Sequence, residues 1–147
     1  MQRTMAIGEA ARESGVKVPT IRYYEQIGLL PPLDRTQGNR RLYEDADLRR
    51  LTFIRHAREL GFDLDAIRTL LTLQDRPDQS CVTADAIARA RLAEVDRRLA
   101  SLADLKSELT RMIANCAAGT VADCRVIESL ADHGNCLYHR HERPIPE

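Results

Sequence analysis

The stretch DQSCVTADAIARARLAEVDRRLASLADLKSELTRMIANCAA, residues 78–118, contains neither glycine nor proline. The absence of helix breakers predicts one long α-helix, which we expect to begin at about Thr83. Apolar residues recur along it at the three- and four-residue spacing of a coiled-coil seam. The seam comprises Ala88, Leu92, Val95, Leu99, Leu102, Leu109 and Met112, thickened by Leu105 and Ile113. Because a lone helix has no core of its own, this pattern predicts a homodimer.

Three cysteines flank this helix. Cys81 precedes it, Cys116 follows it, and Cys124 comes eight residues later. A helix of this length rises about 50 Å, so the two flanking cysteines of one chain cannot share an ion. Antiparallel pairing would instead bring Cys81 of the partner subunit beside Cys116 and Cys124. Three thiolates suit zinc, cadmium, lead or mercury better than magnesium or calcium, which predicts a soft-metal site between subunits. The alternative is that each cysteine is a small buried hydrophobe.

The C-terminal tail carries further potential ligands. They are His133, Cys136, His139 and His141. These side chains could bind a second metal ion or cap the first site from outside. The alternative is a polar tail that binds no metal.

Composition limits the class of protein. Of 147 residues 44% are apolar, and basic and acidic residues balance at 22 each. No apolar run is long enough to span a membrane, and no signal-peptide pattern follows Met1. We therefore expect a cytoplasmic protein that makes no membrane contact. Its cysteines are then expected to be thiols or ligands, not disulfides.

Positive charge is concentrated in the N-terminal part. Residues 1–58 hold eleven Lys or Arg against seven Asp or Glu, whereas residues 59–147 hold eleven against fifteen. All the basic residues except Lys17 and Lys106 are arginines, the side chain that forks onto phosphate and guanine edges. This distribution favours a nucleic acid as the partner of the N-terminal part.

Short helices separated by glycines predict the rest of the fold. The predicted helices span residues 7–14, 18–26, 45–60, 64–73 and 125–131. Gly15 turns between the first two, Pro19 lies in the first turn of the second, and Gly61 breaks the next pair. Two short helices around a glycine turn indicate a helix-turn-helix.

A polar segment after this motif predicts a wing. Gly38-Asn39 is placed to turn a short hairpin that carries Arg35, Arg40 and Arg41. The fold class is therefore mainly all-α. Three segments are expected: a winged helix-turn-helix DNA-binding domain at 1–76, a dimerisation helix at 77–115, and a metal-binding loop, short helix and tail at 116–147.

A series of short motifs occurs in order over the first 75 residues. They are Ile7-Gly8-Glu9-Ala10-Ala11, Gly15, Ile21-Arg22-Tyr23-Tyr24-Glu25, Gly28-Leu29-Leu30-Pro31, Arg41-Leu42-Tyr43 and Leu60-Gly61-Phe62. Their order and separation resemble the winged helix-turn-helix of the MerR family of transcriptional regulators. The long helix and the cysteine-bearing loop extend the resemblance over nearly the whole chain. Because it has Cys81 at the start of the long helix, the chain resembles the branch of the family that senses zinc, cadmium, lead or mercury.

The resemblance and the positions of the residues together assign candidate DNA contacts. They are Lys17, Thr20, Arg22 and Tyr24 in or just before the second helix, and Asn39, Arg40, Arg41 and Tyr43 in the wing. Most of these contacts are expected to bind phosphate, which positions the protein without specifying sequence. The alternative is that Tyr23 and Tyr43 are core residues, and for Tyr23 the core is the expected position.

The resemblance implies a transcriptional regulator, not an enzyme, that binds promoter DNA as a homodimer and acts with RNA polymerase. Metal binding would bend and untwist the DNA and activate genes for metal efflux or detoxification. Zinc is the favoured ion, cadmium, lead and mercury are alternatives, and the length of the Cys116–Cys124 loop leaves copper(I) open. A regulator of the same fold with a redox or organic effector, and a thiol-based metal buffer, are the competing hypotheses.

Overall fold

The computed structural model describes residues 3–116 and 119–132, and this part of the chain is mainly helical, as predicted. The helices are α1 (Ile7–Ser14), α2 (Val18–Gln26), α3 (Asp45–Glu59), α4 (Leu64–Gln74), α5 (Val82–Ala114) and α6 (Arg125–Ala131). Two short strands, β1 (Thr4–Met5) and β2 (Tyr43–Glu44), and a 3₁₀ helix at Val121–Asp123 also occur. The chain divides into two compact units, Met1–Ala88 and Arg89–Glu147.

Two further sequence predictions concern a membrane span and a second metal site on the tail. Within the described residues, none of the helices has both the length and the apolar composition needed to cross a membrane. The tail residues proposed as a second metal site lie outside the described part of the chain. They are His133, Cys136, His139 and His141.

A glycine forms the turn between α1 and α2. Gly15 has a φ of 72°, in the left-handed region that favours glycine, and its N–H donates to the Ala11 carbonyl at 3.0 Å. The next helix begins after Lys17 without a side-chain cap and has Pro19 in its first turn. The predicted helix-turn-helix is confirmed.

Helices α3 and α4 pack with the helix-turn-helix around one core. A capping box begins α3, because the Glu44 and Asp47 side chains each accept a hydrogen bond from the other residue's backbone N–H. The core consists of Met5, Ala10, Val16, Ile21, Tyr24, Leu29, Leu30, Tyr43, Leu51, Ile54, Ala57, Ile67 and Leu71. This core holds α2 in place by its buried face.

The segment between α2 and α3 contains the expected hairpin. Arg35 and Arg41 form an antiparallel bridge, and the Asn39 N–H donates to the Thr36 carbonyl at 2.9 Å to close the turn. Asn39, not Gly38, adopts the left-handed conformation, with φ 61°. Asparagine tolerates this region better than other side chains because it can hydrogen-bond locally.

An antiparallel ribbon joins the start of the chain to the end of the hairpin. Its register pairs Met5 with Tyr43 and Thr4 with Glu44. Each strand has two residues, too few for an alternating pattern to be visible in the sequence, and the ribbon was not predicted. It places the N-terminus of α1 next to the wing.

Helix α5 leaves most of its apolar stripe uncovered within one chain. The helix is 33 residues long. The side chains that are more than half exposed include Leu92, Leu99, Leu102, Leu109 and Ile113. Met112, which the sequence pattern assigned to the seam, is instead buried within its own chain. A second surface is needed to remove the exposed stripe from water.

Candidate nucleic-acid interface and metal centre

Arginines of α2 and of the hairpin line one concave surface, an open cavity of about 550 Å³. The lining residues are Ala6, Ile7, Arg22, Arg35, Asn39, Arg40 and Arg41. Ala6 is the N-cap of α1 and provides no side-chain cap. The first N–H groups of that helix lack intrahelical acceptors, and its dipole favours an anion. Guanidinium groups beside a helix N-terminus suit the phosphates of a nucleic acid.

Six of the predicted DNA contacts have exposed or half-buried side chains. They are Lys17, Thr20, Arg22, Asn39, Arg40 and Arg41. Thr20 and Arg41 are half-buried and the other four are exposed. These side chains are available at the surface that α2 and the hairpin form.

The structure corrects the placement of three tyrosines. Tyr43 is fully buried and Tyr24 is 7% exposed, so neither ring is presented to DNA, contrary to the prediction of direct contacts. Tyr23, which was expected in the core, is 47% exposed. Adjacent residues on a helix point about 100° apart, so only one of the two neighbouring tyrosines in α2 can face the core. The sequence alone does not reveal which one.

A largely buried carboxylate links α2 to the hairpin. Glu25, in the last turn of α2, accepts a hydrogen bond from the Tyr43 hydroxyl, and its other oxygen pairs with Arg41 Nη1 at 2.7 Å. Burial and then the Glu25 hydrogen bond raise the pKa of Tyr43 above its ordinary value. Tyr43 therefore orients Glu25 from inside the core. The Glu25 link was missed because nothing in a one-dimensional motif pairs these positions.

Two arginines bind the backbone that follows α2. Arg50 of α3 donates from Nε to the Leu29 carbonyl at 2.8 Å, and Arg68 of α4 donates from Nη2 to the Ile27 carbonyl at 2.7 Å. Arg50 also pairs with Asp75, at the end of α4, at 3.2 Å. Carbonyls at a helix C-terminus lack intrahelical partners. The two arginines thus fix the C-terminal end of α2 to the helices behind it.

Cys116 and Cys124 lie together, with their Sγ atoms 3.9 Å apart. Cys116 follows α5, and Cys124 is the N-cap of α6. The backbone N–H groups of Ile127 and Val126 lower the pKa of the Cys124 thiol, because a helix N-terminus stabilises the thiolate. The neighbouring Cys124 sulfur raises the pKa of Cys116. The loop therefore presents two adjacent sulfur ligands, one of which ionises more readily than a free cysteine.

Cys81 immediately precedes α5, which begins at Val82. Its thiol is exposed, and its carbonyl accepts a hydrogen bond from the Asp85 N–H at 2.9 Å. Within residues 3–116 and 119–132 of one chain, no group of three or more His, Cys, Asp and Glu side chains is arranged to hold a metal ion. Cys116 and Cys124 together supply two potential metal ligands, one fewer than such a group requires.

The last turns of α5 and helix α6 carry buried polar side chains, Glu108 and Ser129. Glu108 is 2% exposed and pairs with Arg111 at 2.5 Å. Arg111, Met112 and Ser129 line a cavity of about 310 Å³, and the latter two are buried. Residues of both helices that flank the cysteine loop therefore border one cavity. Glu108 was missed because a charged residue within a long helix is normally on its solvent-exposed face.

The α2 helix, the wing and the arginine-lined surface define a DNA-binding protein of the winged helix-turn-helix class. The chain belongs to the MerR family of helix-turn-helix regulatory proteins. Residues 5–74 match the family model described as MerR HTH family regulatory protein, and residues 48–112 match the one described as MerR, DNA binding.

Similar proteins support the same assignment. The chain is 40% identical over 130 residues to the HTH-type transcriptional regulator HmrR of Sinorhizobium medicae, covering 88% of each chain. It is 38% identical over 128 residues to Heavy metal-dependent transcription regulator 2 of Rhizobium meliloti, covering 87% of each. Among solved structures, the transcription regulator PbrR691 from Ralstonia metallidurans in complex with lead(II) superposes with a TM-score of 0.74 at 40% identity. The match covers 86% of this chain and 98% of that one.

These findings bear on the predictions of class. The MerR family, its heavy-metal-sensing branch and the mainly helical fold are confirmed. The relatives are transcription regulators, so the prediction that the chain is not an enzyme is confirmed as well. The identity of the metal and the individual ligands stay predictions.

Proposed function

We propose that this protein is a metal-responsive transcriptional regulator that binds promoter DNA as a homodimer and activates genes for metal efflux or detoxification. The observation that carries the proposal is the pair of sulfur atoms 3.9 Å apart beyond the end of α5. The inducer is a divalent soft ion, with zinc favoured over cadmium, lead and mercury. The lead(II) complex of PbrR691 supports an ion of this class.

The donor set fits such an ion. Two thiolates on a tetrahedral zinc with Zn–S bonds of about 2.3 Å lie about 3.8 Å apart, close to the 3.9 Å between Cys116 and Cys124. The N–H groups at the start of α6 favour the thiolate form of Cys124. When bound, the ion would crosslink the two subunits, because its thiolate ligands would come from both chains.

We assign the third thiolate to Cys81 of the partner subunit. Helix α5 has 33 residues, and a helix of that length rises about 50 Å. An antiparallel pair of α5 helices would cover the exposed leucine stripe of both chains. The same pairing would set the N-terminal end of each α5 beside the cysteine loop of the other chain. The same arrangement would therefore cover the exposed stripe and complete the set of metal ligands.

Contacts behind α2 suggest how the metal site affects DNA. Asp75 precedes Cys81 by a short segment and pairs with Arg50, which in turn binds the Leu29 carbonyl beyond α2. Displacement of the segment before α5 would therefore change the restraint on α2. The metal must bind the activating conformation more tightly than the repressing one, since equal affinity shifts no equilibrium. DNA deformation costs a few kcal/mol, which a thiolate site can exceed.

The DNA-binding part of the proposal uses the surface of α2 and the wing. Its contacts are Lys17, Thr20, Arg22, Asn39, Arg40 and Arg41. In this scheme residues 1–76 bind DNA, residues 77–115 form the dimer, and residues 116–147 complete the metal site. RNA polymerase is the second macromolecular partner, because distortion of promoter DNA acts by aligning the elements that polymerase reads. Such a role places the protein in the cytoplasm.

Metal titration of the reduced dimer tests the site. Wild type and Cys81→Ser are titrated with zinc, cadmium, lead, mercury and copper(I) in competition with a chromophoric chelator. We expect tight binding of divalent ions that weakens at least about 100-fold in Cys81→Ser. Cys136→Ser removes a thiol outside the proposed centre. An unchanged stoichiometry in that variant would argue against a second metal on the tail.

Other outcomes favour other effectors. Binding of copper(I) alone, unaffected by Cys81→Ser, would contradict the divalent assignment. Absence of metal binding, with a reversible disulfide between Cys116 and Cys124, would favour a redox sensor. Tight metal binding without any affinity for DNA would favour a thiol-based buffer.

A further inference from the structure

The carboxylate of Glu25 lies where α2 meets the wing. Its side chain is 11% exposed, whereas that of its partner Arg41 is 37% exposed. One oxygen accepts from the buried Tyr43 hydroxyl, and the other pairs with Arg41 Nη1 at 2.7 Å. A carboxylate so placed has both oxygens used and a defined orientation. Its geometry is set by the core on one side and by the wing on the other.

The wing has few restraints of its own. In the described chain its strands meet in one isolated bridge, Arg35 to Arg41, outside the short ribbon at its base. The turn residue Asn39 is exposed, and its carbonyl and side-chain oxygen accept from Arg35 at 3.3 and 3.1 Å. These contacts are local to the hairpin. The Glu25–Arg41 pair connects it to α2.

Arg41 retains donors after it pairs with Glu25. A guanidinium carries five N–H donors, and only Nη1 is used in the contact with the carboxylate. Arg41 also lines the cavity that Arg22 and Arg40 share. A bound phosphate at that cavity can therefore be contacted by an arginine whose direction is already fixed. Fixing a side chain in advance reduces the entropy that is lost on binding.

We propose that Glu25 is a positioning residue for DNA binding, which holds Arg41 against α2 so that the wing and the recognition helix engage the duplex at a fixed separation. The inference rests on the proposed DNA-binding function. It assigns Glu25 no contact with DNA. Its effect passes through Arg41.

A double-mutant cycle in the full-length dimer tests this role. The probes are a duplex selected by wild type from a random-sequence pool and an unselected duplex of equal length. We expect Glu25→Gln to weaken binding to both duplexes by a similar factor of about tenfold, because a phosphate contact carries no sequence information. In an Arg41→Gln background, Glu25→Gln should add less than about twofold, because coupled residues do not act additively.

The salt dependence gives a readout that a purely structural role would not change. The slope of log K against log salt is negative, and loss of one phosphate contact reduces its steepness by about 0.9. We expect this decrease in Arg41→Gln and in Glu25→Gln alike. A steeper slope in Glu25→Gln would overturn the proposal, since it would mean that Glu25 masks Arg41. Equal losses from Glu25→Gln in both backgrounds would overturn it too.

Two controls keep the test interpretable. Glu59→Gln removes the same charge from an exposed carboxylate that faces Arg55 at 3.6 Å, and it should bind both duplexes as wild type does. If Glu25→Gln does not fold, Arg41→Lys replaces it, because lysine keeps the charge but lacks the fork that contacts two groups at once. Full retention of affinity in Arg41→Lys would then overturn the proposal. Failure of wild type to select any duplex would contradict the proposed function instead.

Discussion

The helix-turn-helix unit and the long helix α5 bury their apolar side chains in different ways. Leu51 and Ile54, in the core that α3 shares with α1 and α2, are fully buried in a single chain. Leu99 and Leu109, in α5, are 59% and 58% exposed. The first region contains what it needs to fold, whereas the second requires a partner to bury a comparable stripe. This difference implies that local folding and assembly can be perturbed separately.

The largest expected effect comes from a charge in the seam. Leu99→Asp would bury an unpaired carboxylate in each half of the dimer, and we expect a loss of about 4 kcal/mol of association free energy. That loss raises the dimer Kd on the order of a thousandfold, which sedimentation equilibrium would detect. Ala93→Asp places the same side chain on the opposite face of α5. Equal dimer affinities for the two variants would show that the stripe is not the interface.

A cavity in the first unit should act without reference to assembly. Leu51→Ala removes a fully buried side chain and should lower the free energy of unfolding by about 3 kcal/mol. Because the core lies within one chain, the change in Tm should not depend on protein concentration. Leu92→Ala, in the exposed stripe, should give a decrease that does depend on it. Concentration dependence in Leu51→Ala would mean that the first unit also needs a partner.

The accuracy of the sequence-based predictions differs between the same regions. The bounds of α1, α2 and α6 were predicted to the residue. Gly15 ends the first of these helices, and Pro19 lies in the first turn of the second. The exposed stripe of α5 was predicted from the regular three- and four-residue spacing of its apolar side chains. The β1–β2 ribbon was not, since pairing of Met5 with Tyr43 depends on the folded chain.

The candidate sites show the same limit. The sequence predicted a Cys116–Cys124 loop, and the structure brings the two sulfurs within 3.9 Å. It also predicted DNA contacts by Tyr24 and Tyr43, which the core buries. Glu25 was quoted as part of a motif without a role. Its partners come from other elements, and contacts of this kind are not encoded in residue spacing.

Removal of one buried hydroxyl should have a smaller effect. Tyr43→Phe leaves the ring but removes the donor to Glu25, and we expect a loss of about 1 kcal/mol of unfolding free energy at neutral pH. The exposed Tyr23 provides the control Tyr23→Phe, which should unfold as wild type does. Urea denaturation measures both. No loss in Tyr43→Phe would show that the hydroxyl contributes nothing to the link between α2 and the wing.

The pKa of Tyr43 gives this variant a pH dependence. Because the folded protein holds the phenolic proton above the pH where an unfolded tyrosine loses it, near 10.0, the unfolded state binds fewer protons there. Stability therefore falls as pH rises above that value. Tyr43→Phe lacks this contribution and should lose stability less steeply between about pH 10 and 11. Parallel curves would contradict the assigned shift.

The smallest expected effect concerns the cysteine loop. In the metal-free, reduced protein Cys124 has the lower pKa of the pair, and the thiolate is the form that reacts with alkylating reagents. Limiting iodoacetamide at neutral pH should therefore modify Cys124 before Cys116, as peptide mass spectrometry would show. The preference should disappear in urea. Earlier modification of Cys116 would mean that the α6 N-terminus does not stabilise the Cys124 thiolate.

Mixed dimers test the central claim that two chains build one metal site. Cys81→Ser protein is combined with a Cys116→Ser/Cys124→Ser double variant, and metal loading of each dimer is measured by native mass spectrometry. The account predicts no tight binding in either parent dimer and one loaded centre in the mixed dimer, which unites the intact cysteine pair with the intact Cys81. An empty mixed dimer, or a Cys81→Ser dimer that loads fully, would contradict a site shared between subunits.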